Sequence, residues 1–246
     1  MEPKIAFFDI ETAPILGYTW QLYDTNVIEV VHDPFMMSFA VQWAGQKKIH
    51  VKALPDYPGY KKNKKNDKKL VTDLWKMMNE ADVIVAHNGD QYDIRWANAR
   101  FLVHGLPPVS HFKSFDTLKT ARRYFKLPSN KLDSIAHTLG IGRKLPHTGK
   151  AMWMGCIEGV EKDWRTMRRY NAHDVLLLRG VYDRIKPWAQ SHPDMRLIGG
   201  PLKECCPTCQ STNTRPTSKL YTLTTIKQRM QCNDCGRHYV GAKTKA

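Results

Sequence analysis

Apolar residues recur along this chain in two patterns, which predict strands and helices in alternation. Short apolar runs bounded by turn residues predict strands over residues 4–12, 34–43, 48–54, 82–86 and 112–115. Apolar residues spaced three and four apart predict helices over residues 70–80, 93–103, 116–125, 130–139 and 160–188. The first three strands follow one another directly and predict an antiparallel meander. The later alternation of helix and strand is typical of an α/β fold.

Three segments lack either pattern. Residues 55–69 are rich in Pro, Gly and Lys, and we expect a solvated loop there; a flexible arm that contacts nucleic acid is the alternative. Residues 144–159 contain Trp153 and three glycines, and we expect a loop that faces substrate. Residues 191–201 contain two prolines and two glycines, which is typical of a linker. We therefore expect a first domain over residues 1–197 and a second over residues 203–246.

The overall charge favours a polyanionic partner. Lysine and arginine number 38 against 23 acidic residues, which gives a formal net charge of +15. Lysine and arginine bind phosphates whatever the nucleotide sequence, so nucleic acid is the expected partner of a chain with such a surplus of positive charge. An excess of lysine that serves only solubility is the alternative. No basic amphipathic helix points to a membrane surface.

The composition also bears on where the protein works. With 42% hydrophobic residues and a mean hydropathy of −0.50, the chain reads as globular. No run approaches the roughly 18 apolar residues of a membrane-spanning helix, and the N-terminal residues lack the pattern of a signal peptide. We therefore expect an intracellular protein, cytoplasmic or associated with the nucleoid, without a membrane partner.

Five of the six cysteines lie in the last fifth of the chain, and four of them suit a zinc ion. Two residues separate Cys206 from Cys209, and two separate Cys232 from Cys235. Paired gaps of this length present four thiolates to one tetrahedral Zn²⁺. Cys205 is the alternative to Cys206, through a gap of three. Four thiolates leave no open position for water, so the expected zinc is structural.

The surrounding residues predict a zinc ribbon with a small hairpin core. Tyr221, Leu223, Ile226 and Met230 are the apolar residues available for that core, which is too small to fold without the metal. Several basic residues make the module a candidate clamp for nucleic acid. A ribbon that docks to a protein partner and a purely structural ribbon are the alternatives.

Two carboxylates stand at the end of the first predicted strand. Side chains alternate along a strand, so Asp9 and Glu11 project from one face while Phe8 and Ile10 project from the other. Neighbouring carboxylates beside a hydrophobic core lose hydration and repel each other. We therefore expect a cation between them. A strand end that only reaches solvent is the alternative.

Further acids follow on other elements. Asp93 opens the helix that follows strand 82–86, where it is either a helix cap or a ligand beyond a strand end. Tyr170 and Asp174 lie one helical turn apart on a single face. Asp174 has no basic residue three or four positions away, so its cationic partner must come from another element or from an ion.

With these motifs, the chain resembles the DEDD superfamily of 3′–5′ exonucleases, in its tyrosine-containing branch. The family's Asp-x-Glu motif matches Asp9 and Glu11, its second motif matches residues 88–93, and its Tyr-x3-Asp motif matches Tyr170 and Asp174. The histidine branch requires His five residues before Asp174, where this chain has Arg169. The resemblance covers residues 4–188 and looks closest to the proofreading domain of family B DNA polymerases and its stand-alone relatives.

The resemblance implies a fold, a reaction and a set of site residues. The fold would be an RNase H-like mixed sheet flanked by helices, and the reaction hydrolysis of phosphodiester bonds with two Mg²⁺ or Mn²⁺ ions. Asp9 would bridge both ions, and Asp93 would help to hold the second ion. Glu11 and Asp174 would complete the site that holds the attacking water, which Tyr170 would orient. Thr12, Asn88 and Tyr92 match the positions that bind substrate.

Three functions remain open on the sequence alone. The first is a 3′–5′ exonuclease acting on DNA, with single strands favoured. The second is an exoribonuclease, because no residue reports on a 2′-hydroxyl. The third belongs to another class: an adaptor that binds nucleic acid through the zinc ribbon and carries an inactive nuclease fold.

Overall fold

The protein is built around a five-stranded mixed sheet. The computed structural model describes residues 3–199 and 205–243. The strands of the sheet lie in the order β5-β4-β1-β6-β7. Their bounds are β1 Ile5–Thr12, β4 Met36–Trp43, β5 Ile49–Ala53, β6 Val83–Ala86 and β7 Lys113–Asp116, with a separate hairpin of β2 Leu16–Tyr18 and β3 Glu29–His32 inserted after β1.

Strand β1 occupies the centre of this sheet and joins its two halves. It runs antiparallel to β4, with Phe8 opposite Val41, and parallel to β6, with Phe7 opposite Val85. Strands β4 and β5 are antiparallel, and β6 and β7 are parallel. The predicted antiparallel meander of three strands is therefore correct, and the sheet is mixed.

Helices cover both faces of the sheet, as the fold class predicts. The seven described helices are α1 Lys68–Glu80, α2 Asp93–Val103, α3 Thr117–Tyr124, α4 Leu132–Thr138, α5 Lys150–Glu158, α6 Glu161–Ile185 and α7 Arg196–Gly199. Residues of α1, α2 and α5 pack in one core cluster with Phe8 and Ile10. Residues of α3 and α4 pack in a second cluster, which contains Phe7. The 25-residue helix α6 contributes to both clusters.

The alternation of side chains along β1 places its two acids. Phe8 and Ile10 are buried in the first cluster, whereas Phe7 faces α6, where its ring meets that of Tyr182 edge-on at 5.2 Å. Asp9 shares the face of Phe7 because it lies two residues further along the strand, and Glu11 follows two residues later. The end of the central strand thus presents two carboxylates toward α6.

The prediction of a loop over residues 144–159 is only half correct, because residues 150–158 form helix α5. Met152 and Cys156 are one turn apart and buried, and α5 packs against α6. A Cβ at Gly155 would overlap the carboxylate of Asp163 on α6, so this glycine serves close helix packing rather than loop flexibility. Gly159 ends the helix in a left-handed conformation with a φ of 91°.

The expected linker over residues 191–201 contains structure as well. Met195 is buried in the second core cluster, and the short helix α7 follows it. The backbone N–H of Met195 donates to the carbonyl of Pro207 at 2.8 Å, so this segment is bonded to the cysteine-rich part of the chain. Gly200 and Pro201 lie outside the described residues. The division into domains over residues 1–197 and 203–246 stays a prediction.

The C-terminal part forms a separate three-stranded antiparallel sheet in the order β10-β9-β8, built from β8 Thr214–Tyr221, β9 Ile226–Cys232 and β10 His238–Lys243. The prediction of a hairpin core is wrong for three of its four residues, because they are not buried. Tyr221 is 71% exposed, and Leu223 and Ile226 are also exposed. The β8–β9 hairpin extends beyond the cysteine cluster, and the apolar side chains at its far end are not covered by any of the described residues.

None of the described helices is long and apolar enough to cross a membrane.

A buried aspartate ties together three elements of the first core cluster. Asp67 is fully buried at the start of α1 and accepts two hydrogen bonds from Arg100, with its Oδ2 2.8 Å from Nε and its Oδ1 2.6 Å from Nη2. His104 lies 2.6 Å from the same Oδ1, and the N–H of Met36 donates to Oδ2 at 2.8 Å. This aspartate therefore joins α1, α2 and β4.

We expect Asp67→Ala to lower the free energy of unfolding by about 3–5 kcal/mol, because it leaves the Arg100 guanidinium buried without its carboxylate. Glu80→Ala is the matched control, since its ion pair with Lys4 is half exposed and should contribute about 1 kcal/mol or less. Urea unfolding followed by circular dichroism measures both variants. Equal losses would show that the Asp67 cluster is not a stabilising centre.

Candidate active site

Three carboxylates from two elements meet beside the sheet. Asp9 and Glu11 come from the end of β1, and Asp174 comes from the middle of α6, which packs across β1 and β4. One oxygen from each of the three lies within 4.8 Å of the others. This spacing allows all three carboxylates to bind the same cation.

The Asp9 carboxylate is held by an amide from α6. Asn171 is fully buried, and its Nδ2 donates to Oδ2 of Asp9 at 2.7 Å and to the Asp9 carbonyl at 3.2 Å. The hydroxyl of Ser38 on β4 donates to Oδ1 of Asn171 at 3.2 Å. Asp9 therefore has a defined orientation, set by α6 and β4 together.

Asp93 lies next to the cluster but is engaged elsewhere. The pairing of β1 with β6 ends at Phe7, and the N–H of Ile10 donates instead to Oδ1 of Asp93 at 3.1 Å. Burial raises the pKa of Asp93 to about 7, although this hydrogen bond opposes the rise. The structure thus brings Asp93 to the backbone of β1 and leaves it outside the group of three.

The electrostatics of the cluster disfavour three bare carboxylates. Burial, followed by the charge of Glu11, raises the pKa of Asp9 well above its usual range. Burial and the charge of Asp174 raise the pKa of Glu11 to about 8. Burial also raises the pKa of Asp174. The cluster is therefore ionised at neutral pH only at a cost, and a cation would offset that cost.

A lysine that the sequence analysis missed supplies one positive charge. Lys144 Nζ lies 2.6 Å from Oδ2 of Asp174 and donates to the Tyr170 hydroxyl at 2.9 Å. Burial lowers the pKa of Lys144, but Asp174 outweighs this effect and raises it above the ordinary value. Lys144 therefore stays charged. No pattern in the sequence distinguishes it from the other 37 basic residues.

The lysine is held in place from two helices. Its backbone N–H donates to Oδ1 of Asp133 on α4 at 2.7 Å. His173 Nε2 on α6 lies 2.7 Å from the carbonyl of the preceding residue, Arg143. His173, one helical turn after Tyr170, therefore anchors the segment that carries the lysine.

Tyr170 lies at the edge of the cluster with its hydroxyl beside Lys144. Burial, with the charge of Asp174, raises the pKa of Tyr170 to about 12, so the phenol is neutral at physiological pH. Its ring is enclosed by His147 at 4.8 Å and Trp153 at 6.0 Å between ring centroids. The ring is fixed by these contacts, and the hydroxyl is fixed by the lysine.

One oxygen of the cluster has no protein partner. Oδ1 of Asp174 is buried and finds no hydrogen-bond donor among the described residues. An unpaired buried carboxylate oxygen is costly, and Mg²⁺ or Mn²⁺ prefers such hard oxygen ligands. The donor set of Asp9, Glu11 and Asp174 therefore fits a divalent cation of this kind.

The residues expected to bind substrate line two cavities. Thr12 and Tyr92 share a hydrogen bond of 2.8 Å and line a cavity of about 420 Å³. Asn88 lines a second cavity of about 580 Å³, together with Lys144. Asn88 adopts a left-handed conformation with a φ of 66°, and its N–H donates to Oδ1 of Asp116 at 3.1 Å.

Four cysteines cluster at the C-terminal sheet. The sulfurs of Cys206 and Cys235 are 3.6 Å apart, as are those of Cys209 and Cys232, and all four lie within 4.8 Å of one another. A tetrahedron with Zn–S bonds of about 2.3 Å has sulfurs about 3.8 Å apart, so the geometry is compatible with a zinc module. The structure places Cys206 in this group, and Cys205 stays outside it.

Comparison with known proteins identifies the family. The family model described as the RNase H superfamily matches residues 6–186, which is more than half of the chain. The chain therefore belongs to the RNase H superfamily, and the α/β fold class with an RNase H-like mixed sheet is confirmed. Membership supports nucleolytic action on nucleic acid at the level of the family.

A solved structure shares the fold. The family B DNA polymerase from the hyperthermophilic archaeon Pyrobaculum calidifontis aligns with a TM-score of 0.58 and 17% sequence identity. The alignment covers 83% of this chain and 27% of the polymerase chain, so this protein spans about a quarter of that polymerase. A search of curated protein sequences finds no match.

The raised pKa values predict how stability depends on pH and metal. Each raised carboxyl binds more protons in the folded than in the unfolded state, so the free energy of unfolding falls as pH rises from about 4 toward about 8. In EDTA, we expect Tm to fall more between about pH 5 and about pH 8 in the wild type than in Glu11→Gln, because the buried His87 and His192, whose pKa values burial lowers to about 4, act in the opposite direction in both proteins. A divalent cation at about 100 times its Kd should add about 2.7 kcal/mol, which raises Tm by about 5–10 °C.

Differential scanning fluorimetry with EDTA or Mn²⁺ at both pH values measures this prediction. Because the cation binds ionised carboxylates, its effect should be larger at the higher pH. Glu11→Gln is the control, since it should reduce both the pH dependence and the effect of Mn²⁺. A metal effect that is the same in this variant would place the cation elsewhere.

Proposed function

We propose that this protein is a metal-dependent 3′–5′ exonuclease of the DEDD type, tyrosine branch, acting on DNA and preferentially on single strands. The observation that carries the proposal is the convergence of Asp9, Glu11 and Asp174 within 4.8 Å, with one oxygen of Asp174 left unpaired. The RNase H superfamily fold and its likeness to a family B DNA polymerase support the same reaction class. The net charge of +15 supports a nucleic-acid substrate.

The three clustered carboxylates would hold two Mg²⁺ or Mn²⁺ ions, with Asp93 contributing after its side chain leaves the Ile10 N–H. When bound, such ions neutralise charge on the phosphate and stabilise the leaving 3′-oxygen. Asn171 keeps the Asp9 carboxylate in a fixed orientation before any ion arrives, so the site loses little freedom on binding.

Tyr170 would orient the attacking water, because a phenol with a pKa near 12 cannot accept the water's proton completely at neutral pH. Lys144 fixes the Tyr170 hydroxyl and adds a positive charge beside the reacting phosphate. Thr12 and Tyr92 line one cavity, and Asn88 lines the cavity that also contains Lys144; these three residues would bind the substrate.

The C-terminal cysteines would hold one structural Zn²⁺ in a zinc ribbon over residues 203–246, and residues 1–197 would form the exonuclease domain. Between residues 205 and 243 the chain has six Lys or Arg residues and only one acid, Asp234. This balance favours nucleic acid as the partner of the ribbon. A protein partner is the alternative.

Lys144 supports a second candidate, a nucleic-acid-binding adaptor in which an internal amine replaces the metal. Its Nζ lies 2.6 Å from Asp174, where a metal would otherwise bind. One amine, however, bonds only Oδ2 of Asp174 and Tyr170, so Asp9 and Glu11, whose pKa values stay raised, would need a further cation to be ionised at neutral pH. The exonuclease is therefore the better-supported candidate.

We expect Asp9→Asn to abolish hydrolysis, with kcat falling by at least about 10³-fold, because it removes a ligand charge from the centre of the cluster. DNA and RNA carrying a 5′-label, incubated with Mg²⁺, Mn²⁺ or EDTA, should give a metal-dependent ladder of shortened products in the wild type. The same strands with a 3′-label should release mononucleotides at once.

Asp82→Asn is the matched control for Asp9→Asn, because Asp82 precedes β6 beside the start of β1, at the opposite end of the strands from the carboxylate cluster, and should leave the ladder intact. Full activity in Asp9→Asn would contradict the proposed site. Wild-type protein that binds both nucleic acids but cleaves neither under any condition would establish the adaptor.

We expect Tyr170→Phe to lower kcat by about 10- to 100-fold and to leave KM nearly unchanged, because it removes the hydroxyl that orients water while preserving the ring between His147 and Trp153. Steady-state kinetics with a single-stranded substrate measures this effect. A rise in KM at constant kcat would instead assign Tyr170 to substrate binding.

A further inference from the structure

The β2–β3 hairpin exposes an unusual number of large apolar side chains. Ten of them, between 39% and 89% exposed, lie within residues 15–31: Ile15, Leu16, Tyr18, Trp20, Leu22, Tyr23, Val27, Ile28, Val30 and Val31. No other described segment of similar length exposes as many. Exposure of so many apolar side chains within 17 residues is typical of a binding surface.

Two short paired strands form the stem of the hairpin, and residues 19–28 form the irregular loop between them. Gly17 pairs with Val30, and the N–H of Ile28 donates to the carbonyl of Tyr18 at 2.8 Å. A Cβ at Gly17 would overlap Val27 and the carbonyl of Glu29, so the two strands lie too close together for any residue but glycine. The stem therefore fixes the position of Tyr18, and the loop that it holds carries Trp20 and Tyr23.

Its base forms part of the candidate active site. Ile15 and Pro34, at the two ends of the hairpin, line the 420 Å³ cavity together with Thr12 and Tyr92. The N–H of Ala13 donates to the carbonyl of Phe35 at 2.9 Å and closes the base of the hairpin. Because Thr12 directly follows Glu11, the hairpin leaves the sheet at the edge of the carboxylate cluster.

Aromatic side chains also line this cavity. Tyr92 and Trp96 on α2 have ring centroids 6.3 Å apart, and Trp153 of α5 lines the cavity as well. Tyr18, Trp20 and Tyr23 are three further exposed aromatics, on the hairpin whose base lines this cavity.

The charge distribution indicates which part of a nucleic acid this surface fits. In a chain of net charge +15, residues 5–46 contain no Lys or Arg, and the hairpin segment carries Asp24, Glu29 and Asp33. Phosphates would be repelled there, whereas the flat faces of bases carry no charge. Basic side chains line the two cavities instead: Arg122 and Lys131 line the one that contains Asn88, and Lys150 lines the one at the base of the hairpin.

We infer that the β2–β3 hairpin is a stacking surface for unpaired nucleobases of the strand that enters the site, with Trp20, Tyr23 and Tyr18 as its contacts. The inference rests on the proposed function, and it deepens that function by defining the substrate as a strand with free bases. The bases lie along the aromatic hairpin, and the phosphates lie toward Arg122, Lys131 and Lys144. A duplex hides the faces of its bases and cannot use this surface.

The test compares strands that differ only in whether they carry bases. Fluorescence anisotropy in EDTA measures binding of a labelled thymidine oligonucleotide and of an abasic strand of the same length. We expect the double variant Trp20→Ala, Tyr23→Ala to bind the thymidine strand at least about tenfold more weakly and the abasic strand as the wild type does. The salt dependence of binding should be unchanged, because no phosphate contact is lost.

Two further variants show whether the loss belongs to the aromatic faces of the hairpin. Trp188→Ala removes an equally accessible tryptophan, 63% exposed, from the 3-10 turn Lys186–Trp188 and should leave both affinities unchanged. Trp20→Phe keeps an aromatic face and should retain most of the binding. Thermal unfolding confirms that each variant is folded. An equal loss of affinity for both strands, or no loss for either, would overturn the inference.

The same design separates this inference from the exonuclease proposal. Binding in EDTA needs no hydrolysis, so the two proposals can fail separately. A wild type that prefers the base-carrying strand but never cleaves it would support the stacking surface and contradict the exonuclease proposal. DNA and RNA strands are compared to decide between the two sources of unpaired bases. Light scattering completes the test: a change of oligomeric state in the double variant, without a change in strand binding, would assign the hairpin to protein contacts and overturn the inference.

Discussion

The arrangement of the site depends on one constraint: the fold holds three carboxylates close together in a partly buried place. Asp9, Glu11 and Asp174 disfavour one another, and each is further disfavoured by burial, as their raised pKa values reflect. Such a cluster persists only where the surrounding fold leaves the side chains no alternative. Strand β1 is held on both sides by β4 and β6, and α6 packs across it, so the carboxylates cannot separate without disrupting the core.

The neighbouring residues limit this repulsion in different ways. Asn171 donates to Asp9, Lys144 donates to Asp174, and the Ile10 N–H holds the carboxylate of Asp93 apart from the other three. Each hydrogen bond satisfies one acceptor and leaves another free, most clearly Oδ1 of Asp174. The protein therefore stabilises the cluster enough to fold while keeping ligand oxygens available. This balance distinguishes the site from an ordinary buried ion pair such as Asp67 with Arg100.

Local sequence patterns predicted the parts of this arrangement that follow from regular geometry. The alternation of a strand placed Asp9 and Glu11 on one face, and a single helical turn placed Tyr170 beside Asp174. Lys144 could not be found in this way, because it reaches the cluster from a loop 30 residues before Asp174. The sequence could have placed Asn171 at the site, since it lies three residues before Asp174 on the same face of the helix. Helix α5 was missed because its glycines resemble those of a loop, although Gly155 is required by the close contact with α6.

The lysine in the carboxylate cluster has a consequence for how the protein matures. Because Lys144 supplies a cation from within the chain, the central sheet and α6 can assemble before any external ion is present. The four thiolates at Cys206, Cys209, Cys232 and Cys235 have no such internal counterion among the described residues, so with the proposed zinc, folding and metal capture would form a single event at that end. The two ends of one polypeptide would then reach their native states by different routes, one begun with a cation from within the chain and the other governed by the supply of metal.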